Sequence, residues 1–166
     1  MKKIFLALVL SIIILGSGNK ALAGNVFIPA SKECIAGFDV KDFLSIINEE
    51  RGKAGLKPLA GNEMLGKAAD MKLKDMIKLK YFGHINKYGT SPWVWVSLSG
   101  YKFRKAGENL AVGYGNARQT VAAWMNSPSH KSNILNRQYK DVGFAIGILR
   151  LENGEWGVAV VQEFGG

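Results

Sequence analysis

The chain has 166 residues, 48% of them hydrophobic, and its 22 basic against 13 acidic side chains give a formal charge of +9 at pH 7. Its single cysteine excludes an internal disulfide, so the fold is held by its core. The positive balance suits anionic surfaces such as wall polymers, acidic lipids or other polyanions, and it also serves plain solubility.

Residues 1–23 read as a signal peptide. Lys2 and Lys3 give the positive start, Ile4 to Leu15 form an apolar run of 12 residues, and Ala21-Leu22-Ala23 offers a small-x-small cleavage site. A membrane span needs roughly 20 apolar residues, so the run is too short for an anchor. The expected cut after Ala23 leaves 143 residues, and the 22 basic side chains fall to 19 against 13 acidic ones, a formal charge of +6. The chain is therefore expected to be secreted, to the cell exterior or the periplasm. Cys34 does not stand at the cut, which argues against a lipid-anchored precursor, and no neighbour marks it as a nucleophile.

Residues 24–37 read as an irregular lead-in, with Pro29, Ser31 and Gly37 and no periodicity; residues 38–166 read as one domain. Val40, Phe43, Leu44 and Ile47 recur at helical spacing, with Asp39 as cap and Gly52, Gly55 and Pro58 as stop signals. Asn62 caps a second predicted helix whose apolar face is Leu65, Ala69, Leu73, Met76 and Ile77. Its lysines, between 67 and 80, fall mostly off that face. They read as a solvated surface rather than a nucleic-acid site.

"YFGHINKYGTSP" (81–92) is a loop by its glycines and proline; the alternation through Trp93 and Trp95 suits a strand, while Ser91-Pro92 equally opens a short helix, the preferred reading. "AGENLAVGYGN" predicts a buried extended segment. Asn116 with Gln119 predicts a capped helix ending near Asn126, with Ala117, Val121, Trp124 and Met125 on one face. Ser127 to Ser129 then form a Ser-Pro-Ser turn. Residues 142–149 and 157–164 predict a hairpin about a two-residue Asn153-Gly154 turn. Helices followed by a hairpin imply an α+β fold with helices packed on an antiparallel sheet.

Three separated residues carry the candidate chemistry: His84 in its Gly-rich loop, Glu108 in the apolar segment, and His130 in the Ser-Pro-Ser turn. Two imidazoles and a carboxylate suit a divalent metal such as zinc, a general acid/base pair, or a structural polar cluster. Ser127, Ser129 and Ser132 lie near His130, but sequence proximity is poor grounds for a nucleophile. "GYGNAR" has Arg118 where a dinucleotide loop needs its third glycine, so no nucleotide cofactor is implied.

The ordered motifs F-G-H, A-G-E-N-L-A, W-M-N-S-P-S-H-K-S-N-I-L and V-G-F-A resemble the bacterial branch of the CAP superfamily, the SCP-like extracellular domain. "INEERGKAGLKPLAGNEML" resembles that family's first helix and the turn after it, so the likeness covers nearly all of residues 40–164. The resemblance implies a three-layer α-β-α sandwich, with a small antiparallel sheet between helices and a cleft carrying a His/Glu/Glu/His tetrad. His84, Glu108 and His130 match three of its members. Ser127 stands where the second glutamate belongs, which puts a two-carboxylate mechanism in doubt. Family members include zinc binders and sterol or fatty-acid carriers, and proteolysis has been proposed for a few. The resemblance thus implies a binding module for a divalent metal, a small molecule or a lipid. A zinc-assisted hydrolase using Glu108 is the alternative, and an adhesion domain for an anionic wall or membrane surface a further one. No reaction follows from fold and motif alone.

Overall fold

A computed structural model of the chain describes Ile35, residues 37–151 and residues 154–166. The expected signal peptide, nearly all of the lead-in, Cys34 and Asn153 of the expected turn lie outside the described residues.

Among the described residues the elements follow in the order α1 (Val40–Lys53), β1 (Ala60–Gly61), α2 (Glu63–Leu79), α3 (Pro92–Leu98), β2 (Ala106–Val112), α4 (Ala117–Asn126), α5 (Pro128–Ile134), β3 (Asp141–Arg150) and β4 (Trp156–Gly165). The sheet order is β1-β3-β4-β2. β3 pairs antiparallel with β4, and β4 with β2; the two-residue β1 adds a parallel pairing to β3. The fold is α+β, as expected, and β2 is an edge strand.

Strand alternation divides the core in two. On one face Leu110, Ala145, Leu149, Ala159 and Val161 pack against Ala69, Leu73 and Met76 of α2, with α3 against α2 through Val96 and Leu65. On the other, Val142, Phe144, Val158, Val160 and Phe164 pack against Phe43 and Ile47 of α1 and Val121 and Trp124 of α4. The Phe43 ring sits 5.5 Å from Phe144 and 6.0 Å from Trp124. Burying each such side chain contributes roughly 1.5–3 kcal/mol. Gly143 lets α2 lie directly on β3, because a Cβ there would overlap the Gly66 nitrogen.

The caps follow the predicted pattern. Asp39 accepts from the Lys41 N–H, Asn62 from Met64 and Leu65, and Asn116 from Gln119. Asp70 and Lys74 pair at 2.7 Å.

Several expectations are corrected. α1 runs through Gly52 and ends only before Gly55, whose φ of +67° no side chain favours. Val40 and Ile77 are exposed, being at the margins of their stripes. Lys72 does not belong to the solvated face and is fully buried. The Ser-Pro-Ser stretch is the first turn of α5, with Pro128 where the missing N–H costs nothing. The hairpin register pairs Arg150 with Trp156, and the Leu151 N–H donates to the Glu155 carbonyl. That leaves an odd number of residues between the strands, which a two-residue turn does not satisfy.

Candidate functional site at the edge strand

β2 sends alternate side chains to opposite faces, so Glu108 lies on the α2 side and Asn109 on the α5 side of one edge strand. Glu108 is 4% exposed. Its Oε1 lies 2.6 Å from His84 Nδ1, and its Oε2 is buried without a hydrogen-bond partner. The His84 side chain is half exposed, so this contact reaches from the core to solvent.

The loop that presents His84 is pinned from beneath. The Lys72 ammonium donates to the Gly83 carbonyl at 2.7 Å, the His84 carbonyl at 2.9 Å and the Tyr81 hydroxyl at 2.9 Å. Tyr81 in turn donates to Asp75 Oδ2 at 2.6 Å, which also accepts from Asn86. Asn86 Oδ1 closes the loop by accepting from the N–H groups of Tyr88 and Thr90. Burial pushes the Lys72 ammonium below the ordinary lysine range; the carboxylates of Glu108, Asp75 and Glu163 oppose that shift. Burial and the Asp75 bond push the Tyr81 phenol up.

Glu163 of β4 stands opposite Glu108 in the β2–β4 register and is fully buried. Burial, then the adjacent Glu108 carboxylate, raise the Glu163 carboxyl well above its usual range, against the pull of Lys72. With both groups ionised, the Glu163 oxygens and Glu108 Oε2 would face no donor. A proton held on Glu163 turns it into a donor, with Glu108 as the acceptor across the register.

His130 approaches from the other side of β2. Asn133 Nδ2 donates to the Glu108 carbonyl and to Asn109 Oδ1, while Asn109 Nδ2 donates to the His130 carbonyl and to Gln162 Oε1. This amide network ties α5 to the strand that carries Glu108. Gly107 permits the approach, since a Cβ there would overlap the Tyr139 hydroxyl. His130 Nδ1 lies 2.9 Å from Ser127 Oγ, so the serine expected at the absent glutamate's position partners the second histidine instead. Burial, and the neighbouring His84 after it, lower the His130 imidazole below the ordinary histidine range.

His84 and Glu108 are thus in direct contact, and His130 stands near enough for His84 to bias its titration. Sequence reasoning missed Lys72, Asn109, Asn133 and Glu163. The signal for Glu163 was a carboxylate inside the apolar strand "VAVVQEFG", and the signal for Asn133 was its place one turn beyond His130. Among the described residues no group of three or more His, Cys, Asp and Glu side chains is arranged to hold a metal ion.

The model of the cysteine-rich secretory protein family, CAP, matches residues 44–164. YkwD of Bacillus subtilis (strain 168) is 40% identical over 103 residues, 62% of this chain and 40% of that protein. The chain therefore spans well under two thirds of that relative. An outer surface protein of Borrelia burgdorferi superposes with a TM-score of 0.64 at 26% identity, covering 84% of this chain and 97% of that one. An extracellular protein containing a SCP domain from Bacillus anthracis superposes with a TM-score of 0.63 at 24% identity, covering 75% of this chain and 39% of that one.

Proposed function

The chain belongs to the cysteine-rich secretory protein family, and on that footing we propose that it is an exported binding module whose edge-strand site takes a divalent metal ion, zinc foremost, together with a small or lipidic ligand. The observation that carries this reading is the buried Glu108 carboxylate on His84 Nδ1. A carboxylate on one ring nitrogen orients the imidazole and leaves Nε2 as the metal donor. Ser127 serves His130 the same way when the ring donates its Nδ1–H to the Ser127 hydroxyl, and in the neutral ring that the lowered titration of His130 favours, this tautomer leaves Nε2 free for a metal. Zinc bound there would act as a Lewis acid with positions open to a ligand.

Two imidazoles are fewer than the three protein ligands of ordinary catalytic zinc sites, so the metal site is expected to be weak and exchangeable. The alternative of a zinc-assisted hydrolase needs Glu108 to take a proton from metal-bound water. Glu108 is 4% exposed and engaged with His84, which favours binding over catalysis. Support for export comes from residues 1–23 and from relatives described as outer surface and extracellular proteins. Calorimetric zinc titration of the purified protein at neutral pH tests the reading. A single site is expected, lost in the His84→Ala/His130→Ala double variant; undiminished affinity in that variant would overturn it.

A further inference from the structure

Away from the histidines, a cavity of about 480 Å³ opens between the loop after α1 and the loop before β3. Its charged lining is Arg51, Lys57, Arg137 and Lys140, and Leu56 and Pro58 give it an apolar wall. Among the described residues no acidic side chain lines it.

Arg51 forms its floor. The side chain is 2% exposed, and its Nε donates to the Lys57 carbonyl, its Nη1 to the Ile134 and Asn136 carbonyls, and its Nη2 to the Tyr139 carbonyl. These bonds staple the two loops together and account for the position of Arg51 in the fold. They leave its charge without a counter-ion: among the described residues no carboxylate lies within salt-bridge distance of Arg51, Lys57, Arg137 or Lys140. Asp141, the acid next to Lys140, accepts from the Tyr101 hydroxyl at 2.6 Å. Desolvation alone depresses the Arg51 guanidinium, with no acid opposing the shift, yet a guanidinium stays protonated at any ordinary pH. A buried cation without an anion is costly, and three further cations at the rim add repulsion.

We propose that this cavity is a binding site for a phosphate ester, its phosphate held by Arg137, Lys140 and Lys57 over the Arg51 charge and its carbon portion against Leu56 and Pro58. A phosphomonoester carries between one and two negative charges at neutral pH, and guanidinium groups match its oxygens. The volume falls in the range of small-molecule sites and exceeds what a bare ion needs. The site shares no residue with the histidine site, so the two stand or fall separately.

The test is calorimetry of the purified protein with inorganic phosphate and with glycerol 3-phosphate. Arg51 is left intact because it holds both loops. Arg137→Gln/Lys140→Gln is compared with Lys74→Gln/Lys78→Gln, which removes the same net charge from α2. The expected result is saturable binding, tighter for glycerol 3-phosphate, weakened about tenfold or more in the first variant and within about twofold of wild type in the second. Sedimentation with phosphatidylglycerol vesicles separates the sources: vesicle binding lost in the first variant alone identifies a lipid headgroup, and binding of the free ester without vesicles identifies a soluble one. Absence of binding to all three probes, or equal weakening in the two variants, would overturn the proposal.

Discussion

Glu163 faces Glu108 directly across the β2–β4 pairing, and both carboxyl groups are buried on the face that carries His84. Two acids in register inside a core are tolerable only if one of them holds a proton, and the elevated Glu163 carboxyl is the one that does. The folded protein then binds a proton that the unfolded chain releases above about 4.5. Stability from this group is fully present below that unfolded value and declines as pH rises through the elevated folded value. Thermal unfolding followed across pH 4 to 9 (roughly the span of such shifts) is expected to show that decline for the wild type. In Glu163→Gln, which keeps the shape and a donor, the curve should flatten; an unchanged curve would mean that Glu163 does not hold the proton.

Lys72 joins the helical layer to the loop that presents His84, through the carbonyls of Gly83 and His84. Lys72→Met keeps the stem and removes the charge, leaving two carbonyls and the three nearby carboxyl groups of Glu108, Asp75 and Glu163 without their cation. Losing charge-assisted hydrogen bonds of this kind costs roughly 1.5–3 kcal/mol. Urea unfolding is expected to show a loss of that order, and zinc affinity should fall as the His84 loop loosens. Normal stability in Lys72→Met would assign the ordering of that loop to Asp75 and Asn86 alone.

Much of the frame was legible in the sequence because it depends on local periodicity and caps. Asp39, Asn62 and Asn116 all accept the expected backbone donors, and the stripes through Phe43 and Leu73 do face the core. What escaped depends on strand register and on long-range burial. Glu163 and Glu108 lie far apart in sequence and become neighbours only through the β2–β4 pairing. Lys72 looks like any lysine on a helix until a loop closes over it. The Ser-Pro-Ser stretch reads as a turn from its local residues, and packing of Ile134 against the core makes it the start of a short helix instead.

The His130 imidazole is held below the ordinary histidine range first by burial and then by the His84 charge. An NMR titration should therefore place its midpoint below about 6.5. In His84→Ala the second cause disappears, so the midpoint should move up without fully reaching the ordinary value, since burial remains. A midpoint that ignores the His84 change would put the two rings too far apart to share a ligand.

Two glycines are expected to respond to alanine with opposite signs. At Gly143 a new Cβ would overlap the Gly66 nitrogen and the Leu65 carbonyl carbon, so α2 must move off β3. The displaced contacts are backbone and cannot rotate away. The expected loss is about 3 kcal/mol or more, at the upper end of overpacking costs, and it would disturb Lys72 on the same helix. Gly52 lies inside α1 with open space around its Cβ position. Alanine there removes unfolded-state freedom without strain, and a gain of about 0.5–1 kcal/mol is expected. Chemical denaturation of the two single variants gives both values. A Gly143→Ala protein as stable as wild type would show that the close seating of α2 on the sheet, and with it the burial of Lys72 beneath His84, is not required by the fold.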